Sequence, residues 1–199
     1  MFAEQNTDRL KGFSDGVFAV VITLLVLELR PPHADTFSSL LALWPSALSY
    51  AVSYLFLAIV WVNHHHLMRY APLASPRLVW ANFAHLFSAS LVPFTTAWIA
   101  DTHLGAAPVA LYAVVFVLVN VTYLLLCMEG IDRQEERVVP IDVRRTMRRR
   151  SLLTLALFSL GAIVALRFPV GGLTLIAACL VLYVRPDIPR RDAKREDAG

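Results

Sequence analysis

The sequence has few charged residues and few cysteines, and both shortages narrow the class of protein. Charged side chains make up 17% of the chain against 57% hydrophobic residues, and the mean hydropathy is +0.59. Average soluble domains carry charge at about 25% of positions, so the composition excludes a soluble fold and predicts an all-α integral membrane protein. The two cysteines, Cys127 and Cys179, both lie in apolar runs, which excludes a disulfide-stapled fold.

The apolar residues form six runs, and a membrane-spanning helix needs roughly 20 such residues. The predicted transmembrane helices are 12–29, 37–63, 78–100, 106–128, 152–166 and 170–184. The last two runs are short and flank a tight reversal at 167–172, so we predict a helical hairpin there. Residues 1–185 are expected to form a single six-helix transmembrane domain, and residues 186–199 a charged, disordered cytoplasmic tail.

Basic residues are concentrated at the termini and in alternate loops, which predicts the orientation. They are Arg9, Lys11, Arg69, Arg77 and the groups within 133–150 and 185–195. Only Arg30 and Arg167 lie on the other side, so the positive-inside rule places both termini in the cytoplasm. The preference for arginine over lysine, with abundant alanine, indicates a bacterial chain, and hence the plasma membrane.

An arginine cluster before the fifth run raises two possibilities for a partner, given the net charge of +3. One is nucleic acid, and the other is the headgroups of anionic lipid. A juxtamembrane cluster marks topology and attracts anionic lipid, so we expect lipid there and no nucleic acid. The cluster consists of Arg144, Arg145, Arg148, Arg149 and Arg150.

The first run begins beside an acidic residue, Asp15, which needs a partner so near hydrocarbon. An ionised carboxylate at the centre of a membrane helix costs on the order of 2.5 to 3.5 kcal/mol, and less toward an interface. Arg9 and a later histidine are the candidate partners. Between Asp15 and Glu28 the only polar side chain is Thr23, whose hydroxyl can bond a carbonyl one turn back in its own helix.

Residues three and four apart on the first helix form an apolar stripe with a single hydroxyl. The stripe can be the packing face of an ordinary core helix, or the wall of a pore. In a pore, several copies of the helix would form apolar rings that gate by dewetting, and a ring of hydroxyls that replaces part of an ion's water shell. The stripe contains Phe13, Gly16 or Val17, Val20, Thr23 or Leu24, and Leu27.

The run Trp61-Val62-Asn63-His64-His65-His66 ends the second predicted helix on its cytoplasmic side. Successive helical residues are rotated by about 100°, so the three histidines cannot all face one way. Ser14 and Asp15 lie at the same depth, and Asn82 begins the third helix on that face. We predict a polar network of Arg9, Ser14, Asp15, one histidine and Asn82 that holds the first helix in place.

The histidine run leaves two other hypotheses open. A membrane metalloenzyme would need several separated histidine boxes, but His85 and His103 are isolated, so no metal site and no enzyme activity are expected. A proton channel or proton-coupled transporter could use Asp15 and the His64–His66 cluster as titratable groups. Transporters usually contain broken helices, and only Pro93 offers a break here.

Three motifs resemble a known family. The pattern R-x-x-x-F-S-D at Arg9, Phe13, Ser14 and Asp15, followed by GVFAVVITLLVLEL, closely resembles the first-helix signature of the TMEM175 family (domain of unknown function 1211). W-x-x-H-H, at Trp61, His64 and His65, and N-x-x-x-L-F-x-x-S-L-x-P-F, from Asn82 to Phe94, are similar to the family as well. The resemblance is strong over helices one to three and extends through the six-helix layout.

The resemblance implies a passive, leak-like potassium channel without a P-loop filter, in which the first helix lines the pore. One six-helix unit per chain implies a homotetramer, and lysosomal members also pass protons. By position, the constriction falls on Val20, Leu24 and Leu27, and the selectivity layer on Thr23, with permeant K+ near Val20 and Thr23 and no cofactor. The residues expected to support the pore are Arg9, Phe13, Ser14, Asp15, Trp61, His64, His65 and Asn82.

Overall fold

The computed structural model describes residues 5–71, 73–132 and 141–183, and these residues are almost entirely helical. The helices are α1 (Asp8–Leu27), α2 (Phe37–Leu41), α3 (Trp44–Met68), α4 (Pro76–Ser90), α5 (Val92–Asp101), α6 (Ala106–Cys127), α7 (Ile141–Ala165) and α8 (Pro169–Tyr183). A π-helical turn, Met128–Asp132, follows α6. Two short strands, β1 (Gln5–Asn6) and β2 (Leu73–Ala74), pair antiparallel.

Within the described residues, four helical segments are long and apolar enough to cross a membrane. They are Asp8–Leu27, Trp44–Met68, Pro76–Asp101 and Ala106–Ile131. A shorter apolar helix covers Pro169–Val181. The prediction of an all-α membrane protein is therefore confirmed in its coarse form.

The helix bounds differ from the predicted ones where proline or charge, rather than apolar content, sets the end. The first helix begins at Asp8 instead of residue 12 and ends at Leu27 instead of residue 29. The predicted helix 37–63 is two helices, because Pro45 sits in the first turn of α3 and cannot continue a preceding helix. Helix α3 then runs through the histidine run to Met68.

The third predicted helix, 78–100, runs from Pro76 to Asp101 but is divided at Leu91. Pro93 has no backbone N–H and cannot donate to the carbonyl of Ala89, one turn back. The neighbouring Thr96 hydroxyl donates to the Val92 carbonyl at 2.8 Å, a bond within α5 itself. The break at Pro93 therefore lies inside one continuous span.

The fifth helix begins well before the predicted 152–166, because α7 spans Ile141–Ala165 and includes the arginine cluster. Arginine is a strong helix former, so the helix extends beyond the apolar run that the prediction used. Helix α8 begins four residues after α7 ends and packs against it, as the hairpin prediction required. The predicted tail 186–199 and the basic residues within 133–140 and 185–195 lie outside the described residues.

Helix α6 lies at the centre of the bundle, in contact with α4, α5, α7 and α8. Its Phe116 ring stacks on Phe56 of α3 with ring centroids 3.5 Å apart, and Phe158 of α7 meets both rings edge-on. Each aromatic pair contributes about 0.5 to 1.5 kcal/mol beyond its buried area. This cluster joins three of the helices that form the core.

A buried group of hydroxyls joins a second set of helices. Ser53 of α3 lies 2.7 Å from the Thr96 hydroxyl of α5 and 2.8 Å from the Tyr112 hydroxyl of α6. Because Thr96 donates to a carbonyl of its own helix, Ser53 donates to Thr96 and accepts from Tyr112. Such bonds between membrane helices are worth about 0.6 kcal/mol on average.

Helices α7 and α8 approach each other most closely at Gly172. A methyl group added there would lie 2.7 Å from Cβ of Ala165 and 2.8 Å from the carbonyl oxygen of Gly161, and neither atom is on a flexible side chain. The neighbouring Gly171 has room, since its nearest contacts would be 3.6 and 3.7 Å away. Gly172 therefore sets the spacing of the hairpin, and Gly171 does not.

We expect Gly172→Ala to lower the melting temperature of the purified protein, because the added methyl must separate two backbones, at a cost of about 1 to 3 kcal/mol. The matched control is Gly171→Ala, which should be neutral or slightly stabilising because alanine favours a helix by up to about 1 kcal/mol. Thermal unfolding in the same detergent compares the two. Equal melting temperatures for both variants would contradict the close approach.

Candidate functional site: the first helix and its polar contacts

Helix α1 is held by one narrow face. Its buried residues are Ser14, Phe18, Val21 and Leu25, spaced four, three and four apart, and they contact α3, α4 and α5. Only 22% of the most apolar stretch of α1 is buried by the rest of the chain, compared with 56% for the span that contains α6. Most of the surface of α1 is thus left uncovered by its own chain.

The uncovered face carries the residues that the sequence predicted as pore-lining. Val20 is 58% exposed, Leu24 43% and Leu27 70%, and Thr23 is exposed between them. Their spacing places them along a single stripe of the helix. The structure brings these four side chains together on a surface that no described part of the chain covers.

The Thr23 hydroxyl is satisfied within α1. It lies 2.9 Å from the Val20 carbonyl and 3.0 Å from the Ala19 carbonyl, so its proton points back along the helix. Its oxygen lone pairs remain available on the exposed side. A water molecule or a cation beside this face can therefore be bound by Thr23 at no cost in internal hydrogen bonds.

The opposite face of α1 is fixed by the side-chain amide of Asn82. The amide oxygen lies 2.7 Å from Nε2 of His64, and the amide nitrogen donates to Oγ of Ser14 at 3.0 Å. Ser14 donates in turn to the Leu10 carbonyl at 2.8 Å. An amide oxygen only accepts, so Nε2 of His64 carries a proton. All three side chains are buried, and they join α1, α3 and α4.

Aromatic rings pack around this chain of hydrogen bonds. The Phe18 ring lies 5.4 Å from the ring of His64 and 6.2 Å from that of His85. The two imidazoles are parallel, with centroids 6.0 Å apart, and Nδ1 of His85 lies 3.1 Å from the Thr122 hydroxyl of α6. The polar contacts behind α1 therefore reach the central helix of the bundle.

Asp15 has a different partner from the ones predicted. Its carboxylate is exposed in the protomer and accepts a hydrogen bond from Nε1 of Trp61 at 2.8 Å. Arg9 is exposed too, and the described residues give it no hydrogen bond or ion pair with Asp15. Six helical residues correspond to a rotation of about 240°, so Arg9 and Asp15 point away from each other. Among the described residues, the hydrogen-bond donor to Asp15 is therefore the Trp61 indole, in place of the predicted Arg9 or histidine.

The remaining predicted residues lie at the edge of the site. Phe13 is exposed, with its ring 5.5 Å from that of Phe83, and His65 is exposed, with its ring 5.7 Å from that of Trp61. Of the histidine run only His64 is buried. Among the described residues no group of three or more His, Cys, Asp or Glu is arranged to hold a metal, so the metalloenzyme hypothesis gains no support.

A tether at the start of α1 completes the contacts on this side. The Thr7 hydroxyl donates to the Ala71 carbonyl at 2.7 Å, next to the pairing of β1 with β2. The sequence analysis did not single out Thr7, nor Thr122 beside His85. The only signal for Thr122 was a polar residue inside an apolar run, which sequence alone cannot pair with a partner.

Taken together, the fold and this face define a multi-pass helical membrane protein in which the first helix is anchored on one side and bare on the other. The family model for the endosomal/lysosomal potassium channel TMEM175 matches residues 9–93, which include α1, α3 and the contacts of Asn82. Residues 9–93, a little under half of the chain, are thus similar to the TMEM175 family.

Two curated relatives differ in how much of them the match covers. A potassium channel from Chryseobacterium sp. (strain P1-3) is 39% identical over 118 residues, which are 59% of this chain and 62% of that protein. The endosomal/lysosomal proton channel TMEM175 of Gallus gallus is 30% identical over 82 residues, or 35% of this chain and 16% of that protein. The matched region thus spans less than two thirds of each relative.

A solved structure matches almost throughout. The crystal structure of a lysosomal potassium-selective channel TMEM175 homolog from Chamaesiphon minutus aligns with a TM-score of 0.70 and 28% sequence identity. The alignment covers 90% of this chain and 98% of that one. The likeness therefore extends beyond the segment matched by the family model.

We expect Asn82→Leu to destabilise the fold more than Ser14→Ala. The leucine leaves the His64 N–H buried without an acceptor, at a cost of about 1 to 3 kcal/mol, whereas Ser14→Ala removes one acceptor from an amide that keeps its bond to His64. Thermal unfolding measures both, with Ser90→Ala as control, because Ser90 is exposed on the same helix and bonds only its own backbone. A melting temperature for Asn82→Leu equal to that of the control would refute this role of Asn82.

Proposed function

We propose that the protein is a passive, potassium-selective cation channel whose pore is lined by α1. The observation that carries the proposal is the bare stripe of Val20, Thr23, Leu24 and Leu27 on a helix whose other face is buried and hydrogen-bonded. The similarity of residues 9–93 to the TMEM175 family supports it, as do the potassium channel from Chryseobacterium and the potassium-selective channel homolog from Chamaesiphon that the chain resembles. A channel needs no enzyme activity and no cofactor, and the ligand is the permeant K+.

The pore requires more than one copy of the chain, and we propose a homotetramer. In this assembly α1, α3, the α4–α5 pair, α6, α7 and α8 are the six crossings, and both termini are cytoplasmic. Four copies of the bare face of α1 would meet around the axis. The support is the bare face of α1, with the hydroxyl of Thr23 among its apolar side chains.

In the proposed pore, the three apolar residues and Thr23 act differently. Rings of Val20, Leu24 and Leu27 would resist wetting and so limit the flow of ions. Four Thr23 oxygens, with their protons turned back to the helix, would replace part of the water shell of K+. A tenfold preference for one cation over another corresponds to a free-energy difference of only about 1.4 kcal/mol. Replacing part of the water shell by Thr23 oxygens can supply a difference of that size.

The contacts behind α1 are proposed to support the pore rather than to line it. Ser14, Asn82 and His64 hold the helix to α3 and α4, and Trp61 holds the carboxylate of Asp15. Phe13 and His65 border these contacts, and Arg9 is proposed to act at the exposed cytoplasmic end. These residues would fix the angle at which α1 approaches the axis.

The arginine cluster of α7 is proposed to contact anionic lipid of a bacterial plasma membrane. Arg144 and Arg148 border a cavity of about 180 Å³ between α6 and α7, whose other walls include Leu124 and Leu152. Cationic heads beside apolar walls suit a lipid, with its phosphate at the arginines and its acyl chain against the leucines. Arg145, Arg149 and Arg150 extend the positive charge along the helix.

Proton permeation is a second candidate, favoured by the similarity to the endosomal/lysosomal proton channel TMEM175 of Gallus gallus. Asp15 and the His64–His66 cluster would be the titratable groups. The first experiment separates the two candidates: the full chain is reconstituted in planar bilayers, and its reversal potential is measured twice. The first measurement has K+ on one side and Na+ on the other at equal pH, and the second has equal K+ on both sides with an imposed pH gradient. A reversal near the K+ equilibrium potential supports the channel. A reversal that follows only an imposed pH gradient would replace it with the proton pathway.

We expect Thr23→Ala to reduce the K+ over Na+ permeability ratio several-fold while current persists, because a hydroxyl ring is lost and the helix is kept. The control is Thr174→Ala, since Thr174 is exposed on α8 and bonds its own helix at 2.8 Å in the same way. Reversal potentials measure both. An unchanged ratio for Thr23→Ala would refute its place in the selectivity layer.

We expect Leu27→Ala and Val20→Ala to raise single-channel conductance or open probability several-fold, because a smaller apolar ring is wetted more readily. Val114→Ala serves as control, since Val114 is 49% exposed on α6, away from the proposed axis. Single-channel recording measures all three variants. If the α1 variants conduct no better than the control, these residues do not form the constriction.

A further inference from the structure

A small, mainly apolar cavity with a few polar side chains in its wall lies between α3, α4, α6, α7 and α8. Its volume is about 40 Å³. No described residue of α1 lines it, so the cavity is separate from the proposed pore. The lining residues with polar side chains come from four helices and are Asn63, His85, Asn120, Tyr123, Ser151 and Thr154.

Two polar atoms beside the cavity are buried and have no partner among the described residues. They are Nε2 of His85 and Oδ1 of Asn120. Native interiors rarely leave such atoms unpaired, and a buried one is usually bonded to ordered water. The cavity that both residues line is where such a partner would lie.

The chemistry of the two atoms defines the missing partner. The Thr122 hydroxyl donates to carbonyls of its own helix, with 2.9 Å to Val119, so its oxygen accepts from Nδ1 of His85. The neutral ring then presents a lone pair at Nε2. Because Oδ1 of Asn120 also only accepts, the ligand must donate two hydrogen bonds.

Size and charge identify that donor as water. One water needs about 10 to 15 Å³ of such space, so the cavity holds one to about three. No Asp, Glu, Lys or Arg lines it, and a cation would therefore be buried without a counter-charge. Thr154 donates its proton to the Arg150 carbonyl at 2.9 Å, so its oxygen can accept from a further water.

We propose that each subunit holds a buried water that donates to both Nε2 of His85 and Oδ1 of Asn120, and so joins α4 to α6 behind the pore helix. The site is a property of the single chain and does not depend on ion conduction. Its readouts are therefore structural, and their failure would leave the proposed function untouched.

The direct test is solid-state NMR on the full chain, labelled with nitrogen-15 at histidine and asparagine, in lipid bilayers. We expect the nitrogen-15 chemical shift of the unprotonated Nε2 of His85 to be that of a nitrogen whose lone pair accepts a hydrogen bond. Magnetisation should also be transferred to this nitrogen from water. The transfer should fall several-fold in Asn120→Leu and be unchanged in Ser90→Ala. A free lone pair, or a direct bond from the Asn120 amide to Nε2 without water transfer, would overturn the proposal.

A thermal double-mutant cycle gives an independent readout. His85→Leu and Asn120→Leu should each lower the melting temperature, and the double variant should lose less than the sum of the two, because a dry cavity leaves no acceptor unpaired. His85→Leu combined with Ser90→Ala should be additive. Additive losses for His85→Leu and Asn120→Leu would count against a shared water. If a variant does not fold, the NMR measurement on the unmutated chain still tests the proposal.

Discussion

The side-chain amide of Asn82 is the contact on which the rest of the arrangement depends. Its oxygen accepts a hydrogen bond from His64 of α3, and its nitrogen donates one to Ser14 of α1. One side chain therefore binds two different helices. In a membrane, apolar surface does not drive helices together, because lipid is as apolar as leucine. The hydrogen bonds of Asn82 to two neighbouring helices therefore determine which face of α1 is buried. The opposite face of α1 is left bare.

The same constraint explains the other cross-helix contacts. The Ser53, Thr96 and Tyr112 hydroxyls tie α3, α5 and α6, and the close approach at Gly172 lets α8 lie directly against α7. Both contacts join helices without a hydrophobic driving force. The hydroxyls form hydrogen bonds that lipid cannot replace, and the glycine allows two backbones to touch. The scaffold behind α1 is built from such local devices.

Much of this could be predicted from residue order alone, and the failures have identifiable causes. The bare and buried faces of α1 follow from helical periodicity, and the break in the third span follows from Pro93. The meeting of Ser14, Asn82 and one histidine followed from depth in the membrane. The indole partner of Asp15 did not, because the contact with Trp61 depends on how α1 and α3 are rotated against each other. The start of α7 was misplaced because apolar content marks the membrane and not the helix. The pairing of His85 with Thr122 depends on the rotation of two helices, which no local pattern encodes.

The polar anchors of α1 all lie toward one end. Thr7 is bound to Ala71, Ser14 to Asn82 and Asp15 to Trp61, whereas beyond Asp15 the helix is held to its own chain by the apolar contacts of residues such as Phe18 and Leu25. Leu27 lies twelve residues after Asp15, or about 18 Å along the helix at 1.5 Å per residue, so a tilt of about 5° at the anchored end moves Leu27 by about 1.6 Å. The helix is thus a lever with a fixed pivot, and a small rotation at its anchored end becomes a displacement of about one atomic radius at its tip.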